Sequence, residues 1–190
     1  MTESSRGVPT IIALHGHGDE PESARVWAAA VAAEGWRVET PAAPRDDSGD
    51  RSWFDTGPRG VVTATFERSR DELASVAAHA AVRGPVAVAG FSQGAALALG
   101  VGDLPGVAAV VAFCGFLPEL DDLDPAAGPP ALVLPSAGDE VVPAFLGEDA
   151  AAAMVAAGRT VTVETLPGEH VVSAVAARRA SAWLREQRWA

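Results

Sequence analysis

Ser92, Asp139 and His170 stand at positions where they could share one acyl transfer. Ser92 lies in Gly90-Phe-Ser-Gln-Gly94, between an apolar run and an Ala/Leu-rich stretch. That setting predicts strand, sharp turn and helix, the arrangement of a nucleophile elbow. A serine on so tight a turn is held in a strained backbone conformation that exposes its hydroxyl. Glycines are expected on both sides, because a Cβ at Gly90 or Gly94 would strike neighbouring backbone. The backbone N–H of Gln93, first in the new helix, then points where an oxyanion would form.

A serine hydroxyl is a weak nucleophile at neutral pH and needs a base within hydrogen-bond reach. The histidines are His15, His17, His79 and His170. His79 falls inside a helical pattern. His170 follows the last apolar strand pattern, after Pro167-Gly-Glu. Asp139 falls on the turn after the penultimate one. The order Ser92, Asp139, His170 therefore puts each group at a successive strand end. In that arrangement His170 takes the Ser92 proton, and Asp139 fixes the imidazole tautomer and stabilises the imidazolium. A second oxyanion donor is expected just after the first strand, in His15-Gly-His-Gly-Asp19. The backbone N–H of His17 is the candidate, beside that of Gln93.

The elements needed to position these groups can be read along the chain. A β-branched run over 10–14 predicts the first strand. Helix follows over 22–34, and a second strand over 36–40. Residues 41–60 form a long Pro/Asp/Gly-rich segment holding Arg51-Ser-Trp-Phe-Asp55. A loop of that length is usually functional or mobile. Trp53 and Phe54 within it are expected as pocket walls, together with Phe116 and Leu117. A long amphipathic helix is predicted over 61–82. The elbow strand over 85–89 and its helix to residue 99 come next. Further strands are expected over 107–113, 131–134 and 160–166. Helices are expected over 144–157 and from beyond His170 to about residue 188. Strands alternating with helices predict an α/β fold with a mostly parallel sheet and helices on both faces. One domain is expected over 1–190, with residues 1–7 as a flexible N-terminus. Ligands of such open sheets sit beyond the carboxyl ends of the strands, where every polar motif above falls.

Composition excludes several classes. The chain has 190 residues, 48% of them hydrophobic, which is enough for a substantial core. Its formal net charge is −11, and every cationic side chain is arginine. An acidic chain without a basic cluster does not suit nucleic acid or an anionic lipid surface. No apolar run reaches the length of a membrane span, so no stable membrane association is expected. The N-terminal residues lack the apolar core of a signal peptide, and a cytoplasmic location is expected. The single cysteine, Cys114, permits no internal disulfide and lies in an apolar run. A buried small side chain is the expectation there, not a second nucleophile.

Taken together, the motifs resemble the acyl-protein thioesterase and carboxylesterase group of α/β-hydrolases. Leu14-His-Gly-His-Gly-Asp19 is similar to that group's Leu-His-Gly-x-Gly-Asp oxyanion loop. Arg51-Ser-Trp-Phe-Asp55 is similar to its Ser-Trp-Phe-Asp loop, and Gly90 to Leu99 resembles its elbow. Cys114-Gly-Phe-Leu-Pro118 stands where the group has Ser-Gly-x-Leu-Pro. The acid turn, Pro135 to Pro143, lacks the group's leading His-Gly but keeps the acid and the Val-Pro. The resemblance implies hydrolysis of esters or thioesters with no metal or organic cofactor. The expected substrate is a small molecule with a short to medium acyl chain. A homodimer is left open.

Two other readings remain at this level. His15, His17 and Asp19 resemble the first half of a zinc-hydrolase signature, in which zinc would activate water without Ser92. Alternatively, the chain is a non-catalytic small-molecule binder on a hydrolase scaffold.

Overall fold

The computed structural model describes residues 7–58, 60–101, 104–187 and 189. Six parallel strands form one sheet in the order β2-β1-β5-β6-β7-β8. They are β1 (Thr10–Leu14), β2 (Arg37–Glu39), β5 (Val86–Phe91), β6 (Val107–Phe113), β7 (Ala131–Leu134) and β8 (Val161–Val163). A separate two-stranded hairpin pairs β3 (Thr56–Gly57) with β4 (Gly60–Val61). The helices are α1 (Pro21–Val31), α2 (Thr63–Ala81), α3 (Gln93–Gly100), α4 (Ala144–Ala156) and α5 (Ala174–Glu186).

The central strands are apolar on both faces because both faces are covered. Ile11 and Ala13 of β1 pack into a cluster with Ala24 and Ala28 of α1 and Ala180 and Leu184 of α5. Ile12 and Leu14 point the other way, into a cluster with Phe66 and Leu73 of α2, Leu97 of α3 and Met154 of α4. This period-two split is what a strand between two helical layers requires. Helix α3 is buried along its whole length, so its Ala/Leu sequence has no polar face.

Chain order reverses between β1 and β5, which lie side by side with Leu14 opposite Gly90. The chain runs outward from β1 to β2 on one side and from β5 to β8 on the other. The loops after β1 and β5 therefore part at that seam and leave a crevice beyond the carboxyl edge.

Several boundaries differ from the sequence reading for local reasons. Helix α1 begins on Pro21 and stops at Val31, because Ala32 turns extended (φ −62°, ψ 134°) ahead of left-handed Gly35. The last strand was expected over 160–166. Only 161–163 pairs as β8, and Leu166 rejoins the sheet through a single bridge to Ser136. The 41–60 segment is less irregular than its composition implies. It contains an Arg45–Arg51 bridge and the first strand of the hairpin. Of the segment expected to be flexible, residues 1–6 lie outside the described residues. Gly7 packs so closely on Arg83 that a Cβ there would meet its carbonyl oxygen at 1.9 Å. Among the described residues, no helix is long and apolar enough to cross a membrane.

Candidate active site

Ser92 follows β5 with φ 54° and ψ −119°, a conformation side-chain-bearing residues rarely adopt. Its backbone N–H donates to the Phe113 carbonyl at 2.9 Å, which ties the turn to the next strand. The flanking glycines are sterically required. A Cβ on Gly90 would lie 2.1 Å from the Gly94 carbonyl oxygen, and one on Gly94 would lie 2.5 Å from the carbonyl oxygens of Leu14 and His15. The elbow is thus pressed against both its own helix and the end of β1.

Asp139 and His170 arrive from the ends of β7 and β8. His170 Nε2 lies 2.9 Å from Ser92 Oγ, and Nδ1 lies 2.6 Å from Asp139 Oδ2. Asp139 Oδ1 accepts the backbone N–H groups of Val141 (2.9 Å) and Val142 (2.8 Å). Burial alone would raise the Asp139 carboxyl pKa. The His170 hydrogen bond and those two N–H groups outweigh it and hold the carboxyl below its ordinary value. An ionised carboxylate only accepts, so Nδ1 carries the imidazole proton and the Nε2 lone pair faces the serine hydroxyl. The Phe91 ring packs on the imidazole with centroids 4.8 Å apart.

The chain belongs to the dienelactone hydrolase family. That family's model matches residues 7–189. No curated protein matches the sequence. Among solved structures, esterase PE8 is 25% identical, with 97% of this chain and 95% of that chain covered at a TM-score of 0.78. Acyl-protein thioesterase 2 of Zea mays is 21% identical, covering 97% and 96% at a TM-score of 0.82. The carboxylesterase of Bacillus cereus is 18% identical, covering 96% and 92% at a TM-score of 0.79. The fold is that of the α/β-hydrolases, and the resemblance read from the motifs holds.

In this dienelactone hydrolase family member, His17 and Gln93 line a cleft together with Ser92. Among the described residues, neither of their backbone N–H groups has a hydrogen-bond partner. Gln93 is the first residue of α3, where an N–H has no intrahelical acceptor. Two unspent donors beside a half-buried serine suit a developing oxyanion.

Trp53 does not wall this cleft. It is only 2% exposed, and its indole N–H donates to the His15 carbonyl at 2.8 Å. Its backbone N–H donates to Gln93 Oε1 at 2.8 Å, and its ring stacks obliquely on that of His15, 5.0 Å away. The expected pocket residue is a strut between the elbow and the loop after β1. Phe54 borders the cleft but is 1% exposed and packs on Phe66. Gln93 Nε2 completes the clamp, donating to the Phe54 carbonyl (2.7 Å) and Ser52 Oγ (3.0 Å). The sequence singled out Gln93 for its backbone and missed this use of its side chain.

Phe116 lies on the lining of the Ser92 cleft. Phe116 and Thr56 also line an adjoining groove with Val61, Leu117, Leu146 and Ala150. The His15, His17, Asp19 reading finds no matching geometry. His15 is fully buried, its Nε2 accepts the Ala43 N–H at 3.1 Å, and its Nδ1 bonds the Gly16 carbonyl at 2.8 Å. Both ring nitrogens are thus engaged in holding the loop. Among the described residues, the set of side chains able to share a cation is instead Cys114, Asp139 and His170. Cys114 is 2% exposed, with its Sγ 3.4 Å from Ser136 Oγ. Burial, with a smaller contribution from the Asp139 charge, pushes its thiol up to about 11.

Proposed function

We propose that this protein is a serine esterase or thioesterase that works through Ser92, His170 and Asp139. The observation that carries the reading is the imidazole of His170, hydrogen-bonded to Asp139 on one side and to a backbone-strained Ser92 on the other. As Ser92 Oγ attacks the acyl carbonyl, its proton passes to His170 Nε2. The imidazolium is stabilised by Asp139, and the oxyanion is held by the N–H groups of His17 and Gln93. His170 then protonates the leaving alcohol or thiol. Water, deprotonated by the same nitrogen, releases the acid from Ser92. No metal or organic cofactor has a part in this sequence.

The acyl chain is assigned to the groove beyond Phe116, where Leu117, Leu146 and Ala150 offer an apolar surface. The leaving group faces the more polar side of the cleft, towards Ser52 and Arg68. A small-molecule ester or thioester fits these two arms.

The test is covalent labelling with a fluorophosphonate, which reacts with activated serines, followed by mass mapping. An adduct on Ser92 in the parent protein, lost in Ser92→Ala and in His170→Ala, is expected. A folded protein that forms no adduct and hydrolyses no ester or thioester overturns the reading.

A further inference from the structure

One group at the site has no part in the chemistry above. Cys114 follows β6, Asp139 follows β7, and His170 follows β8, so three adjacent strand ends deliver a thiol, a carboxylate and an imidazole. One ligand atom from each lies within 4.8 Å of the others. Cys114 is held in the left-handed region at φ 49°, and its N–H donates to the Leu134 carbonyl at 3.1 Å.

We propose that Cys114, Asp139 and His170 form an inhibitory binding site for a thiophilic divalent cation of the zinc or cadmium type. This regulatory role rests on the esterase reading above, although the binding itself does not. Thiolate, imidazole and carboxylate are the donor set such ions prefer over magnesium or calcium. Metal–ligand bonds of about 2.0–2.3 Å put tetrahedral donor atoms about 3.5 Å apart, so His170 Nδ1 and Asp139 Oδ2, now 2.6 Å apart, must part by about 1 Å to admit the ion. Of the three, Cys114 and Asp139 are buried and His170 reaches the surface, its side chain 17% exposed, so a cation would enter beside the imidazole. A shallow cleft there is flanked by Glu140 and Glu169. These carboxylates and the net charge of −11 favour the approach of a cation.

The inhibition follows from proton placement. Binding converts the Cys114 thiol to a metal-bound thiolate and releases one proton to solvent. Asp139 Oδ2 and His170 Nδ1 exchange their mutual hydrogen bond for bonds to the ion. A neutral imidazole bound through Nδ1 must carry its proton on Nε2. The lone pair that faced Ser92 is then gone, and the serine has no base. Cation binding and proton transfer from Ser92 exclude one another.

The experiment titrates the parent protein with zinc, cadmium or magnesium chloride. It reads ester hydrolysis and, for cadmium, the ultraviolet thiolate-to-metal charge-transfer band. Loss of hydrolysis at one equivalent of zinc or cadmium, reversed by EDTA and absent with magnesium, is expected. The cadmium band should appear in the parent and in Ser92→Ala. Cys114→Ala and Cys114→Ser should hydrolyse ester as the parent does, show no band and need about tenfold more metal or higher to be inhibited. No band at one equivalent of cadmium, or equal inhibition of the Cys114 variants, overturns the proposal. The band in Ser92→Ala needs no turnover, so a failed esterase reading and a failed metal site give different results.

Discussion

Gln93 holds Trp53 by its side chain while its own backbone N–H is left without a partner, with Oε1 accepting the Trp53 N–H at 2.8 Å. One residue therefore joins the elbow to the 51–55 loop, and Trp53 carries the link on to the His15 carbonyl. Gln93→Leu leaves the buried Trp53 N–H without a partner, while the Phe54 carbonyl keeps only the Ser52 hydroxyl, 2.8 Å away. An orphaned buried group costs about 1–3 kcal/mol. We expect a loss of about 1–3 kcal/mol by chemical denaturation. Turnover should fall by up to about 100-fold through displacement of the loop carrying the His17 N–H, with KM changed much less. An unchanged denaturation midpoint would contradict the clamp.

The comparison of sequence and structure turns on range. Strands β1, β6 and β7 stand where their apolar runs place them, because burial on both faces leaves a local signature. Ser92 and Asp139 were legible for the same reason, since each follows such a run, whereas His170 follows the edge strand β8, which shows itself by period-two alternation instead. Trp53 was not. Its two polar partners lie 40 and 38 residues away in sequence, and an aromatic in a polar loop reads the same whether it faces a ligand or the core. The approach of Cys114 to Asp139 and His170 was equally hidden. It depends on a left-handed backbone angle at a residue that is not glycine.

Asp139→Asn separates tautomer control from folding. The amide keeps an oxygen for the Val141 and Val142 N–H groups but offers its NH2 to His170 Nδ1. The imidazole proton then shifts to Nε2, and Ser92 loses its acceptor. We expect kcat to fall by about 10⁴-fold with little change in KM. The stability of the variant should also lose part of its acid dependence. A carboxyl whose folded pKa is depressed contributes stability above its unfolded value of about 3.9, lost as pH falls towards the folded value. The parent should therefore unfold more steeply than Asp139→Asn below about pH 4. Thermal melts at a series of acidic pH values decide this.

His15 gives the opposite kind of group, a base with a lowered pKa. Burial is the largest cause, partly offset by the Gly16 hydrogen bond and the Asp19 charge. The unfolded chain takes up a proton near pH 6.5 that the folded protein refuses. Stability is therefore full above that pH and declines as pH falls towards the folded value. His15→Gln retains an acceptor for the Ala43 N–H and removes the titration. We expect the parent to lose melting temperature between about pH 7 and 5, and the variant to show a flatter profile there. Parallel profiles would show that the ring is not held neutral.

The groove beyond Phe116 sets the last expectation, which concerns acyl-chain length. Each buried methylene contributes about 0.8 kcal/mol, roughly fourfold in kcat/KM if its contact is made in the transition state. A series of esters of increasing chain length should show kcat/KM climbing by up to that factor per carbon, then levelling once the groove is filled. Ala153 lines this groove and is exposed, so a larger side chain there has room and does not disturb the core. Ala153→Trp should move the plateau to shorter chains while the acetyl ester is cleaved as by the parent. If the series is flat in the parent, or if the substitution lowers the rates of all esters equally, the acyl chain lies elsewhere in the cleft. The polar arm beside Arg68 would then be its place.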